Sequence, residues 1–208
     1  MESEHYCISS LQSYGITNRM RAIADTLAVE GYHVLVVDCY YGDTIEKTPG
    51  MVAFLSKYPY QKISKEIDAA IDYLITSKNV MKESIAALGF CWGAWAIAKS
   101  ASEGVAWKCA VSPHPSTQVE SFIFKNDEAA MFDKCPMSFL LMPAGDDPDS
   151  IKPGSPTVKM LEEKGGKSIP FERMRHGWTS RGDLSLKEVK EDAEKALQLA
   201  TDFIKANN

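Results

Sequence analysis

A cysteine between two closely spaced glycines is the first feature of this sequence that could do chemistry. The stretch Gly89-Phe90-Cys91-Trp92-Gly93 has the spacing of a nucleophile elbow, with cysteine where serine usually stands. Such an elbow is a sharp strand-to-helix turn, and small residues two before and two after the nucleophile keep its backbone from clashing. The turn would place Cys91 at a helix amino terminus, where the partial positive charge favours the thiolate. We therefore predict that Cys91 is a nucleophile.

A nucleophile of this kind needs a histidine base later in the chain. In α/β-hydrolases the order is nucleophile, acid, histidine, and only His114 and His176 follow Cys91. His176 comes just after the last predicted strand, on a loop that should stand above the carboxyl edge of a sheet. His114 also follows a predicted strand, but Pro113 and Pro115 on either side of it are typical of a rigid turn. We predict that His176 is the base, and that His114 is a turn residue that could line the mouth of the site.

The acid that orients the histidine is predicted in the loop after the strand over residues 137–143. Asp146 and Asp147 lie there, and a carboxylate in this loop would fix the imidazole tautomer and stabilise the imidazolium. Paired aspartates are also common in turns, so residue type alone does not separate the two.

Two backbone N–H groups are needed to hold the oxyanion that forms during acyl transfer. One is predicted from Trp92, directly after the nucleophile, and the other from the loop near residues 12–15, after the first strand.

Strand-like and helix-like segments alternate along the chain and would position these residues. The alternation predicts an α/β fold with a mostly parallel sheet and helices on both faces, built as one domain over residues 1–208. The nearly apolar stretch His33–Asp38 predicts a strand buried on both faces, and Ser185 with Glu188 predicts a capping box. Stretches 43–60 and 113–133 are predicted to be long connections, which are often functional. Strands are predicted over 7–11, 33–38, 84–90, 107–112, 137–143 and 169–174, with helices around 20–28, 63–75, 92–102, 158–162 and 186–204.

The composition limits the partners. The net charge is −5 without a basic block, which argues against nucleic acid or an anionic membrane as a partner. No apolar run approaches the ~18 residues of a membrane span, and the acidic amino terminus does not resemble a signal peptide. The five cysteines are odd in number, widely spaced and without a Cys-x-x-Cys pair, which argues against a disulfide framework or structural zinc. We predict a cytoplasmic protein that acts on a small molecule.

With these residues placed, the chain resembles the dienelactone hydrolase family from about Ser10 to its carboxyl end. The Phe-Cys-Trp-Gly elbow is particularly similar to the eukaryotic branch. The resemblance implies an α/β-hydrolase fold and a Cys91, Asp147, His176 triad, with Asp146 as the alternative acid. It also places the second oxyanion donor at Ser13 and a substrate-carboxylate-binding arginine at Arg181. The stretches that carry the resemblance are residues 13–17, 28–38, 89–94 and 176–181.

Two features depart from the family pattern. Members usually begin with a β-hairpin before the first parallel strand, and almost nothing precedes Cys7 here, so we expect a sheet that lacks those edge strands. Gln12 stands where bacterial members carry a glutamate that contacts the resting thiol, and we expect Gln12 to contact the substrate.

We therefore predict a hydrolase for small esters or lactones, in which Cys91 forms a thioester acyl-enzyme that water then cleaves with His176 as base. No metal or organic cofactor is implied, and the protein is expected to be a monomer or homodimer. The alternative is a non-catalytic hydrolase-fold protein that binds a small molecule or partner chain, because the fold does not guarantee hydrolysis. A redox-sensing role for Cys91 is a third possibility, against which the lack of an obvious resolving cysteine argues.

Overall fold

A six-stranded sheet flanked by helices forms the frame of the described chain. The structure is a computed structural model that describes the backbone of residues 5–9 and all of residues 13–207. Within these residues the strands are β1 His5–Ser9, β2 Tyr32–Val36, β3 Ile85–Leu88, β4 Ala110–Pro113, β5 Phe139–Met142 and β6 Lys167–Ser168. The helices are α1 Asn18–Val29, α2 Met51–Ser56, α3 Tyr60–Lys78, α4 Trp92–Ser102, α5 Val119–Phe122, α6 Glu128–Asp133, α7 Pro156–Glu163, α8 Trp178–Arg181 and α9 Lys187–Ala206. None of them is long and apolar enough to cross a bilayer.

The strand order brings the predicted site residues to one edge of the sheet. The order is β2-β1-β3-β4-β5-β6, and every pairing among the described strands is parallel. The mostly parallel sheet with flanking helices predicted above is therefore confirmed. The chain moves outward in one direction from β1 to β2 and in the other from β3 onward, so the loops after β1 and β3 leave side by side, with Ser9 paired to Leu88. Ligands of open α/β sheets bind at such a switch point.

The core lies on both faces of the sheet. Side chains alternate between the faces of a strand, and in β3 Ile85 and Ala87 belong to one apolar cluster while Ala86 and Leu88 belong to the other. Helices α3 and α4 cover the first face, and α1 and α9 cover the second. All four β3 residues are buried, so this strand holds the elbow on a rigid support.

The prediction that residues 33–38 form a strand buried on both faces was wrong. The strand β2 ends at Val36 and lies at the edge of the sheet, where only Tyr32 is fully buried. Edge position is decided by the order in which strands pair, which the apolar residue types of this stretch do not encode.

Two predictions near the carboxyl end were also wrong. A strand over 169–174 does not form. The strand β6 covers only Lys167–Ser168. Pairing with the β5 side continues as an isolated bridge between Phe171 and Ala144, and a turn closed by the Met174 N–H on the Phe171 carbonyl, at 2.9 Å, takes up the rest of the stretch. The capping box at Ser185 is absent as well, because the Ser185 N–H donates to Asp183 Oδ1 at 2.9 Å and α9 begins after Leu186 without a side-chain cap. At both places local turn hydrogen bonds form in place of the predicted strand or helix-cap hydrogen bonds.

Candidate active site

The elbow brings Cys91 to the start of α4 in a strained backbone conformation. Cys91 has φ 54° and ψ −122°, a region that residues with a side chain rarely adopt. A Cβ on Gly89 would lie 2.6 Å from the Gly93 carbonyl carbon and oxygen, which is the close approach that requires glycine there. Strain of this kind persists only when the surroundings over-determine it, and here the buried strand β3 and helix α4 hold both ends of the turn.

His176 and both aspartates of the β5 loop form one hydrogen-bonded group. The Nδ1–H of His176 donates to Asp147 Oδ1 at 2.6 Å, and the Ala144 N–H holds the other oxygen of Asp147 at 2.7 Å. The backbone N–H of His176 donates to Asp146 Oδ1 at 2.7 Å. Asp147 is buried while Asp146 is exposed. The structure thus places Asp147 on the imidazole ring and Asp146 on the backbone of the histidine loop.

The electrostatics favour an ion pair between Cys91 and His176. Burial would raise the pKa of the Cys91 thiol, but the hydrogen bond and charge of His176, with smaller help from Ser116 and Arg181, lower it to about 7. Burial would lower the pKa of His176, but hydrogen bonds with Asp147 and Cys91 raise it to about 10. Between these two values the thiolate and imidazolium coexist, which is the form that a cysteine nucleophile needs.

Ser116 belongs to this group and was not anticipated from the sequence. Its hydroxyl donates to Cys91 Sγ at 3.5 Å and lies 3.4 Å from His176 Nε2. The only signal in the sequence was its position in the long connection after β4, within stretch 113–133. A serine in a loop has no pattern that separates it from other serines, because its contacts are made by residues 25 and 60 positions away.

His114 is buried behind the site and does not line its mouth. The side chain is 0% exposed, its Nε2 is hydrogen-bonded to Ser180 Oγ at 3.3 Å, and its ring meets His176 edge-on with 5.0 Å between centroids. Burial, with the charges of His176 and Arg181, holds the pKa of His114 well below its usual range. A neutral imidazole in this place supports the His176 ring by packing.

The two predicted oxyanion donors follow adjacent strands. Trp92 opens α4, so its N–H has no acceptor within the helix. Ser13 is buried in the loop after β1, and its carbonyl accepts the Ile45 N–H at 3.0 Å, which ties this loop to the connection 43–60. Gln12, predicted to contact the substrate, lies outside the described residues.

Arg181 reaches from the histidine loop across to the loop after β1. Its guanidinium carbon lies 4.5 Å from the centroid of the Tyr14 ring, and a side chain at residue 177 would collide with the guanidinium. Because Gly177, with φ 97°, has no side chain, the Arg181 guanidinium can pass over it. Arg181 is exposed to solvent, and its charge lowers the pKa of the Cys91 thiol, so it lies within electrostatic reach of the nucleophile.

We expect Cys91 to be the most reactive of the described cysteines. Its alkylation by iodoacetamide should rise with pH through a midpoint near 7, because the thiolate is the reacting form and its pKa is lowered to about 7. Burial raises the pKa of Cys109 and Cys135 to about 12 and raises that of Cys39 further, so these thiols should stay unmodified at pH 7. Peptide mass spectrometry over a pH series makes the measurement. Equal labelling of Cys91 and Cys109 at pH 7 would contradict it.

Comparison with known proteins identifies the family of this chain. The model of the dienelactone hydrolase family matches residues 11–207. A curated relative, Dienlactone hydrolase 1 of Gibberella moniliformis, is 25% identical over 186 residues, which cover 83% of this chain and 67% of that protein.

Two solved structures are similar in fold. One is a candidate dienelactone hydrolase from Klebsiella pneumoniae, with a TM-score of 0.74, 15% identity and coverage of 96% of this chain and 86% of that chain. The other is a dienelactone hydrolase-like promiscuous phosphotriesterase from metagenomic libraries, with a TM-score of 0.69, 15% identity and coverage of 97% and 86%. At this identity the likeness shows the fold alone, and it confirms the predicted α/β-hydrolase fold.

Proposed function

Because the chain belongs to the dienelactone hydrolase family, we propose that it hydrolyses small esters or lactones with Cys91 as nucleophile, His176 as base and Asp147 as acid. The observation that carries this proposal is the continuous polar chain from Asp147 through His176 to the sulfur at the elbow. The lowered pKa of the Cys91 thiol and the raised pKa of His176 favour the thiolate and imidazolium that acyl transfer uses.

The first half-reaction forms a thioester. The Cys91 thiolate attacks the carbonyl carbon, and the N–H groups of Trp92 and Ser13 hold the oxyanion. The bond from carbon to the alcohol oxygen then breaks, and that oxygen takes the proton from His176 Nε2. In a lactone the alcohol stays tethered to the acyl group. His176 is left neutral, ready to act as a base.

The second half-reaction releases the acid. A water molecule gives a proton to His176 Nε2 and attacks the thioester carbon, and collapse of the intermediate expels the Cys91 thiolate. The starting ion pair is restored, with Asp147 stabilising the imidazolium at both stages. Each step of this cycle uses only these side chains, the two N–H donors and water.

A panel of esters, thioesters and lactones, with and without a free carboxylate, tests the proposal. We expect turnover of at least one class, together with a mass increase equal to the acyl group on the Cys91 peptide during hydrolysis of a slow ester. If no compound is turned over and no adduct forms, the protein is the non-catalytic binding protein considered above.

We place the enzyme in the cytosol, since its four described cysteines are free thiols and a reducing compartment would keep Cys91 active.

We propose that substrates with a carboxylate near the scissile bond are preferred, because the exposed Arg181 acts electrostatically on Cys91. A guanidinium can hold a carboxylate with two parallel hydrogen bonds. Arg181→Ala should lower kcat/KM for a carboxylated ester by about one to two decades, or roughly 1.5–3 kcal/mol, and should change that for its methylated counterpart much less. The matched control is Arg173→Ala, which removes a positive charge from the segment before His176, where Arg173 pairs with Asp192 at 3.7 Å. Equal slowing of both substrates by Arg181→Ala would show that Arg181 only supports the loop.

A further inference from the structure

The Ser116 hydroxyl lies between the proposed nucleophile and the proposed base. It donates to Cys91 Sγ at 3.5 Å, and its oxygen is 3.4 Å from His176 Nε2. Its backbone is fixed on the elbow as well, because the Ser116 N–H donates to the Cys91 carbonyl at 2.9 Å and Pro115 forms a parallel bridge with Cys91. The side chain is 8% exposed. The position of this hydroxyl is thus set by the elbow itself.

The hydrogen-bond geometry fits the charge-separated state of the pair. Asp147 accepts the Nδ1–H of His176. The hydrogen bonds that raise the pKa of His176 favour the imidazolium, in which Nε2 also carries a proton and can donate to Ser116 Oγ. The Ser116 hydroxyl then gives its own hydrogen to the sulfur, which must be a good acceptor. A thiolate is a far better acceptor than a thiol. The chain therefore runs from imidazolium to hydroxyl to thiolate.

We propose that Ser116 is a further residue of the catalytic site, which bridges His176 and Cys91 and stabilises the thiolate–imidazolium pair before substrate arrives. The inference rests on the proposed function, since it concerns the nucleophile named there. The pair forms when the Cys91 S–H proton passes to His176 Nε2, and Ser116 ends the step as the neutral alcohol that it was. Its hydroxyl acts in addition to the direct hydrogen bond between His176 and Cys91.

The other charged or titratable groups around the pair are few among the described residues. Arg181 acts on the sulfur and Tyr40 interacts with it electrostatically. His114 lies against the imidazole as a neutral ring. Among the described residues, none of these three groups hydrogen-bonds the Cys91 sulfur as Ser116 does, so removal of this hydroxyl should destabilise the thiolate directly.

The test is the pH dependence of Cys91 alkylation by iodoacetamide in Ser116→Ala. We expect the midpoint to rise by about one unit, the effect of losing one hydrogen bond to a charged group at the weaker end of its range. The rate at pH 7 should then fall about fivefold, while the rates well above the midpoint converge with wild type. Ser112→Ala is the matched control, because Ser112 is a buried serine of the preceding strand whose hydroxyl has no hydrogen-bond partner among the described residues.

The outcomes separate the inference from its alternatives. An unchanged midpoint in folded Ser116→Ala, with or without a uniform loss of rate, would overturn it and leave Ser116 a packing role. If the alanine variant does not fold, Ser116→Thr and Ser116→Val repeat the test, because these two side chains have the same shape and differ in a hydroxyl against a methyl group. Equal alkylation midpoints in this pair would also reject the role proposed for Ser116. The assay needs no substrate. A wild-type midpoint at the ordinary thiol value would refute the proposed nucleophile, whereas a low wild-type midpoint that Ser116→Ala leaves in place refutes only this inference.

Discussion

Cys91→Ala should abolish ester and lactone hydrolysis, with kcat/KM falling by about four to six orders of magnitude. Loss of the nucleophile alone has effects of this size in enzymes whose triad acts as a unit. Alanine retains the Cβ, so the backbone strain at φ 54° is unchanged while the sulfur that His176 and Ser116 contact is gone. The measurement is steady-state kinetics on the best substrate of the panel, with circular dichroism to show that the variant is folded.

The matched control is Cys109→Ala. Cys109 is 0% exposed and burial raises the pKa of its thiol to about 12, so it cannot supply thiolate at neutral pH. Its removal should leave kcat/KM within about threefold of wild type. More than about one percent of wild-type activity in folded Cys91→Ala would mean that another group attacks the carbonyl, and the assignment of Cys91 would be wrong.

The local patterns that predict the elbow succeed because they encode steric requirements. Helix α4 begins at Trp92 and ends at Ser102, as the spacing after Gly89 predicts, and the buried strand before it is β3. The glycine at 89 is needed because of one backbone approach within the turn. A requirement satisfied within five residues can be read from those residues.

Features set by distant contacts are not predictable in the same way. The exposure of β2 follows from strand order, and the place of Ser116 follows from the meeting of the segments after β3, β4 and β6. The adjacent pair Asp146 and Asp147 shows the same limit. Their chemistry is identical in sequence, and only the fold turns one carboxylate inward to the imidazole and the other outward to the loop backbone.

The two aspartates should therefore respond very differently to the same change. Asp147→Asn should lower kcat by about three to four orders of magnitude, because an amide N–H facing His176 Nδ1 would force the wrong tautomer and would no longer stabilise the imidazolium. The pKa of His176 should fall, since the Asp147 hydrogen bond helps to raise it, and the midpoint of Cys91 alkylation should rise in turn. Asp146→Asn keeps an oxygen acceptor for the His176 backbone N–H, which now lies 2.7 Å from Asp146 Oδ1, so kcat should change by only about threefold. Kinetics and alkylation on both variants decide the matter: a large loss in Asp146→Asn with near-normal Asp147→Asn would reverse the assignment of the acid.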